Sequence, residues 1–162
     1  MVEILEITQI NDALPEMVAL FRVELRSYKG IASKPNIEAG REEMEEYLSA
    51  KFPVYAALVD GEYAGYVVCR IDSEVVWVES IFVKEEYRRH GVATALHSKA
   101  EEIAASYGND TVYNYVHPNN HRMIEFLRKR GYTVLNLIEI RKPYKDEKLI
   151  QTIAVGEHEF DY

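Results

Sequence analysis

Three apolar segments joined by very short turns constrain the fold of this chain more than any other feature of its sequence. The segments are "PVYAALV" (53–59), "EYAGYVVCRI" (62–71) and "EVVWVESIFV" (74–83). Only the dipeptides "DG" and "DS" mark the breaks between them, and a connection that short reverses the chain direction into a hairpin. The sequence therefore predicts an antiparallel meander of three strands.

Hydrophobic periodicity predicts helices and further strands on both sides of the meander. "VEILEIT" predicts a first strand, and apolar residues at helical spacing predict two helices between this strand and the meander. After the meander, the sequence predicts a third helix over roughly residues 91–107, a strand "TVYNYV", a short helix "NNHRMIEFLRKR" and a strand "YTVLNLIEIR". The predicted fold is α/β, an α+β arrangement on a mixed sheet, in the order β-α-α-β-β-β-α-β-α-β.

The length of the chain is typical of one domain. With 162 residues, of which 48% are hydrophobic, it can bury a substantial core. We expect a single domain over residues 1–162, in which residues 142–162 form a C-terminal extension. One apolar run in that extension is compatible with an additional strand.

Composition excludes several classes of protein. Cys69 is the only cysteine, so the chain has no internal disulfide or thiolate metal cluster, and we expect a small buried strand residue there. The net charge of −8 disfavours nucleic acid and acidic lipid and mildly favours cationic substrates. No apolar run has the roughly 18 residues of a membrane helix, and the first residues are acidic. We therefore expect a cytoplasmic protein without membrane contact, either a monomer or a homodimer.

The stretch "EYRRHGVATALHSKAEEI" (86–103) places two arginines and a histidine just before a glycine and a helix. A helix that starts there directs its free N–H groups and the positive end of its dipole at one point, which favours an anion. Arg88, Arg89 and His90 add donors, and Gly91 allows a ligand to approach the backbone closely. Alternatively, the arginines solvate a loop and pair with Glu85 or Glu86.

Specific motifs resemble those of the GNAT superfamily of N-acetyltransferases. "RRHGVA" resembles its (Q/R)-x-x-G-x-(G/A) acyl-CoA pyrophosphate loop, "VESIFVKEEYRRHG" its fourth strand and loop, and "VHPNNHRMIEFLRKRGYTV" its N-x-R-(x)n-G-(F/Y) segment. The resemblance covers about residues 2–141. It implies a GNAT-like fold in which the fourth and fifth strands splay apart to admit the pantetheine arm of acetyl-CoA.

The same resemblance implies which residues bind acetyl-CoA. The pantetheine arm would meet the backbone at Ile81, Phe82 and Val83. The pyrophosphate would meet the loop and first helical turn, formed by Arg88, Arg89, His90, Gly91, Val92, Ala93 and Thr94. Asn120 matches the cofactor-contacting asparagine of the family, although it could equally be a plain helix cap.

Catalysis by this family needs a base, and the resemblance implies Glu79 for that role. Strand alternation predicts that Glu79 shares a face with Trp77 and Ile81, so that it lines a cleft, lies in a buried salt bridge or faces an exposed edge. Leu127 stands where the family usually has the tyrosine that protonates the leaving thiolate. The proton could come from water or from another tyrosine, among them Tyr113, Tyr115 and Tyr132. The thiolate could also leave unprotonated.

No metal site is predicted. His117 and His121 have i, i+4 spacing, but Pro118 between them argues against one continuous helix face. We therefore expect an acetyl-CoA-dependent N-acetyltransferase. It would transfer the acetyl group to a primary amine of a small molecule, peptide or protein by direct attack in a ternary complex. Leu127 keeps a second hypothesis open, a non-catalytic acyl-CoA binding or sensing domain. The sequence does not identify the acceptor amine.

Overall fold

The computed structural model describes all 162 residues, which form two units, 1–117 and 118–162. The first unit contains β1 (Val2–Glu6), α1 (Ala13–Ser27), α2 (Ile37–Ser49), β2 (Val54–Val59), β3 (Glu62–Asp72), β4 (Val75–Val83), a 3-10 turn (Glu85–Tyr87), α3 (Val92–Ser106) and β5 (Tyr113–Asn114). The second unit contains α4 (His121–Lys129), β6 (Thr152–Val155) and β7 (His158–Asp161). None of the helices has the length and apolar character needed to cross a bilayer.

The sheet of the first unit confirms the predicted meander. Its strand order is β1-β2-β3-β4-β5, and every neighbouring pair up to β4 is antiparallel. β5 joins β4 in parallel but pairs at only two positions, Trp77 with Tyr113 and Val78 with Asn114. Beyond Val78, β4 continues to Val83 without a neighbouring strand on that side. This separation of β4 and β5 matches the splayed strands that the family resemblance implies.

The core of the first unit lies between the sheet and the first two helices. Leu14, Met17 and Val18 on α1 and Met44 on α2 are fully buried. They pack against the sheet residues Tyr66, Val68 and Phe82. Their helical spacing predicts this role, because residues three and four apart lie on one face of a helix. Cys69 is fully buried in β3, as predicted.

A β-bulge in β4 changes which residues share a face. Val68 pairs with Ser80 and Cys69 with Val78, so Glu79 is the extra residue on β4. Trp77 lies opposite Arg70, whereas Ile81 lies opposite Val67. Arg70 and Val67 are three residues apart on one strand and therefore point to opposite faces. The prediction that Trp77 and Ile81 share a face is thus wrong, because the bulge reverses the alternation.

The second unit departs from the predicted element order after α4. The segment 132–141, predicted to be a strand, has no regular secondary structure, and nearly all of its residues are exposed. The apolar run of the extension instead forms β6, which pairs with β7 in an antiparallel hairpin. A strand needs a neighbour for its backbone hydrogen bonds, and composition alone does not supply one. The additional strand in the extension is confirmed, and it forms a hairpin with β7.

Candidate functional site

The loop between β4 and α3 turns sharply just before the helix begins. Arg88 is extended, Arg89 has φ of +67°, and Gly91 has φ of +81°. An added Cβ at Gly91 would meet nothing within 4 Å, so its backbone torsion rather than crowding favours glycine there. Arg89, His90 and Gly91 are exposed, so the tip of the loop is open to solvent.

The first turn of α3 lacks a side-chain cap. Gly91 has no side chain to offer, the first turn contains no acidic residue, and the first helical bond runs from Ala95 N to Gly91 O. The other helices are capped by the side-chain oxygens of Asn11, Asn36 and Asn120. The N–H groups of residues 92–94 therefore remain available, at the positive end of the helix dipole, for an anionic ligand.

Arg88 ties the loop to the sheet and to α1. Its Nε donates a hydrogen bond of 2.9 Å to the carbonyl oxygen of Val83, and its Nη2 pairs with the carboxylate of Glu24. The guanidinium also lies 5.8 Å from the centroid of the Phe82 ring. Only 17% of the Arg88 side chain is exposed. The alternative prediction, that Arg88 pairs with Glu85 or Glu86, is wrong. Arg88 pairs with Glu24 on α1.

Glu79 lies in a half-buried ion pair with Arg70. Arg70 Nε donates to Glu79 Oε2 at 3.1 Å, and the two side chains are 27% and 29% exposed. The guanidinium of Arg70 also lies 5.1 Å from the Trp77 ring centroid. Of the alternatives left open for Glu79, the structure combines a salt bridge with partial access to solvent. The hydrogen bond from Arg70 fixes the orientation of the carboxylate.

Two tyrosines complete an aromatic cluster around Trp77. The rings of Tyr113 and Tyr115 lie 4.8 Å and 4.9 Å from the Trp77 ring, centroid to centroid. Arg70 Nη2 donates to the Tyr115 hydroxyl oxygen at 3.4 Å. Sequence reasoning did not find Arg70, although an arginine inside the apolar run "YVVCRI" is as conspicuous as the glutamate inside "VVWVESIFV".

Three other residues singled out by the sequence have structural contacts. In the second unit, the Asn120 side chain accepts a hydrogen bond from Met123 N at 3.1 Å and caps α4, and Leu127 is buried. In the first unit, the ring of His117 stacks on Tyr28 at 5.9 Å. Burial lowers the pKa of His117 below its ordinary value, and the positive charge of Lys29 lowers it further.

Comparison with known families identifies the family to which the chain belongs. The sequence profile of the acetyltransferase (GNAT) family matches residues 17–132, which is well over half of the chain. The chain therefore belongs to the acetyltransferase (GNAT) family.

Curated relatives match parts of the chain. An uncharacterized N-acetyltransferase from Methanocaldococcus jannaschii is 33% identical over 81 residues, which cover 46% of this chain and 36% of the relative. An N-alpha-acetyltransferase from Sulfurisphaera tokodaii is 31% identical over 114 residues, covering 60% of this chain and 64% of the relative. The chain thus spans less than two thirds of the length of each of these relatives.

Solved structures share the fold over most of the chain. Aminoglycoside N-acetyltransferase AAC(6')-Iy in complex with CoA superposes with a TM-score of 0.64 at 23% identity, covering 88% of this chain and 95% of that one. A protein from Pyrococcus horikoshii superposes with a TM-score of 0.66 at 19% identity, covering 86% and 94%. Likeness at this level of identity establishes the fold and leaves the substrate unassigned.

Proposed function

We propose that this chain is an acetyl-CoA-dependent N-acetyltransferase that acts on a primary amine of a small molecule, peptide or protein. One observation carries the proposal. The uncapped first turn of α3 is joined through the loop of residues 84–91 to β4, the strand that separates from β5 beyond Val78. An anion site at the helix start and an opening in the sheet suit a cofactor that joins a pyrophosphate to an extended arm.

The opening in the sheet would bind the pantetheine arm. Beyond Val78, β4 has no strand partner on the side of β5, so its backbone can pair with an extended ligand. The residues concerned are Ile81, Phe82 and Val83. The amides of pantetheine would take the place of a neighbouring strand and align the thioester along β4.

The loop and the start of α3 would bind the pyrophosphate. The N–H groups of Val92, Ala93 and Thr94 would contact phosphate oxygens, while Gly91 permits their close approach. Arg89 and His90 are exposed and could add charge and hydrogen bonds. Arg88 would act through its contacts with Val83 and Glu24, by fixing the loop. We also retain Asn120 as a proposed cofactor contact in addition to its role as a helix cap.

Glu79 would be the general base. An amine attacks a thioester only as the neutral species, so its proton must pass to the carboxylate, directly or through water. The contact with Arg70 supports this role, because the hydrogen bond of 3.1 Å holds the carboxylate in one orientation. Attack in a ternary complex would leave negative charge on the thioester oxygen, which a backbone N–H near the end of β4 could stabilise.

The comparisons support the cofactor and the class of reaction. AAC(6')-Iy is described as an aminoglycoside N-acetyltransferase in complex with CoA, and the Sulfurisphaera tokodaii relative as an N-alpha-acetyltransferase. Their acceptors differ, a small molecule in one case and an α-amino group in the other. A primary amine is the feature that we carry over to this chain.

A second function, acyl-CoA binding without catalysis, is favoured by one residue. Leu127 is apolar and buried, so it cannot protonate a leaving thiolate. Release of free thiol from acetyl-CoA upon addition of amines separates the two functions. Turnover supports the transferase, whereas tight binding without turnover across a broad amine panel supports the binding domain.

A further inference from the structure

Glu79 and Tyr115 are the first residues beyond the paired part of β4 and β5. The last pair of the parallel ladder joins Val78 and Asn114. Continued pairing would place Glu79 and Tyr115 side by side, but the ladder ends there. The opening in the sheet therefore begins between these two residues. A pantetheine arm bound along β4 would end at this point.

Arg70 connects the two side chains at this point. It donates from Nε to the Glu79 carboxylate at 3.1 Å and from Nη2 to the Tyr115 hydroxyl oxygen at 3.4 Å. Its guanidinium lies against Trp77, which also stacks on Tyr115. Because arginine only donates hydrogen bonds, the Tyr115 oxygen is the acceptor and its own O–H can be given to another group.

We propose that Tyr115 donates the proton to the departing thiolate, and that Arg70 is a positioning residue that holds Tyr115 and Glu79 together. This inference rests on the proposed acetyl transfer. Leu127, at the usual position of the acid, has no proton to give. A guanidinium bonded to the phenol oxygen stabilises the negative charge that develops as the proton leaves. Tyr115 is 56% exposed and so is accessible to a ligand in the opening.

The proposed reaction balances in protons and electrons. The ammonium first gives a proton to Glu79, which passes it to solvent. The neutral nitrogen then forms a bond to the thioester carbonyl carbon and gives its second proton to Glu79. The carbon–sulfur bond breaks with its electron pair on sulfur, which takes the proton from the Tyr115 hydroxyl. The products are the amide and the free thiol of coenzyme A. Glu79 then releases a proton to solvent and Tyr115 regains one, so neither side chain is consumed.

Tyr113 provides a matched control on the same strand. Its ring also packs on Trp77, at 4.8 Å, but it lies within the paired ladder, two residues before Tyr115. Substituting phenylalanine at either position removes one hydroxyl oxygen and retains the ring. The rate of acetyl transfer is measured in a single turnover at saturating acetyl-CoA, so that product release does not mask the chemical step.

Tyr115→Phe should slow this step by roughly tenfold or more, with unchanged affinity for acetyl-CoA, whereas Tyr113→Phe should stay within about twofold of the wild type. Arg70→Met, which keeps an apolar stem on Trp77, should slow the step at least as much as Tyr115→Phe. Glu79 and Tyr115 would both lose the guanidinium that orients them. Arg70→Lys should restore part of the rate. A Tyr115→Phe rate within about twofold of the wild type, or an equal loss in Tyr113→Phe, would overturn the assignment.

Two further measurements separate an acid from a structural role. Trp77 is the only tryptophan, so its fluorescence reports whether the cluster remains packed in each variant. An acetyl thioester of an aryl thiol needs no proton on its leaving group, so Tyr115→Phe should not slow its reaction if Tyr115 is the acid. If Tyr115→Phe slows the reaction of acetyl-CoA and of the aryl thioester equally, Tyr115 is not the acid, and the proposed acetyl transfer is unaffected. A wild-type protein that acetylates no amine would overturn the proposed function and the role of Tyr115 with it.

Discussion

Gly91 and Gly108 bracket α3 with the same backbone torsion, a φ of +81° at each residue. Neither has a heavy atom within 4 Å of the position that a Cβ would occupy. A β-branched residue is strained at this torsion whatever the space around it. The backbone cost of substitution is therefore matched at the two ends of the helix, whereas only Gly91 belongs to the proposed phosphate loop.

Gly91→Val and Gly108→Val should therefore lower the melting temperature by similar amounts, but only Gly91→Val should weaken acetyl-CoA binding. The added side chain at Gly91 stands where phosphate is expected, so we predict a loss of affinity of at least about tenfold. Thermal unfolding and calorimetric titration measure the two effects. Equal affinities in the two variants would show that Gly91 serves only the backbone.

Arg88 and Arg89 are adjacent but should act differently. Arg88→Gln removes the bonds to Val83 and Glu24, so we expect a melting temperature lower by about 2–4 °C. Glu24→Gln breaks the same ion pair from the other side but leaves the bond to Val83, so it should reproduce part of that decrease. Arg89→Gln should leave stability unchanged and weaken acetyl-CoA binding by roughly fivefold or more, with a smaller effect at high salt.

Replacing both arginines should weaken acetyl-CoA binding by at least about tenfold. The net charge of −8 opposes a polyanion, and the loop has to overcome it locally. Calorimetry at low and high salt measures the affinity for acetyl-CoA and how much salt weakens it. A double variant that binds as tightly as the wild type at low salt would exclude these two charges as a source of affinity.

Glu79→Gln should lower turnover by roughly 10²-fold or more, with little change in the affinity for acetyl-CoA. The amide keeps the shape of the carboxylate but cannot take a proton from the amine. Glu43 provides the control, because it accepts a hydrogen bond from Arg22 Nε at 2.6 Å in a similar pair between α1 and α2. Near-normal turnover in Glu79→Gln, or an equal loss in Glu43→Gln, contradicts the assignment of the base.

His117 should make stability depend on pH in the mildly acidic range. Burial and Lys29 lower the pKa of His117 in the folded protein, while the unfolded chain takes up this proton near about pH 6.5. Just below about pH 6.5 the unfolded state therefore binds more protons than the folded state. The contribution of His117 to stability is fully present above about pH 6.5 and is lost as the pH falls through the lower pKa of the folded protein. Thermal melts of the wild type and His117→Gln over this range measure the effect.

The decrease in melting temperature on acidification should be smaller in His117→Gln than in the wild type. Lys29→Met should reduce it in part, because it removes the second cause of the lowered pKa while leaving the first. Wild-type and His117→Gln proteins whose melting temperatures fall in parallel would show that His117 does not link protonation to folding.

Local sequence patterns were sufficient to predict most of the first unit. The hairpins of the meander follow from turns of two residues, and α1, α2 and α3 follow from apolar spacing. The positive turn before α3 was also predictable, since a glycine there precedes a helix without an acidic first turn. These features depend on neighbours in sequence, which is why a single sequence reveals them.

Features that depend on distant pairing were not predictable in the same way. The bulge at Glu79 exists only in the register of β4 against β3, and Arg88 finds its acidic partner 64 residues away on α1. The contact of Arg70 with Tyr115 likewise joins residues 45 positions apart. The segment 132–141 has the composition of a strand, but the hairpin in the second unit forms from β6 and β7 instead.

Acetyl transfer to an amine is the central claim, and labelled acetyl-CoA tests it most directly. The protein is incubated with acetyl-labelled coenzyme and a panel of amino acids, peptides, polyamines and aminoglycosides, and the label is followed into amide product while free thiol is measured. We predict at least one labelled amide, formed in equal amount with free thiol and strongly reduced in Glu79→Gln. Tight binding of acetyl-CoA with no labelled amide from any class of amine would contradict the claim and favour the binding domain.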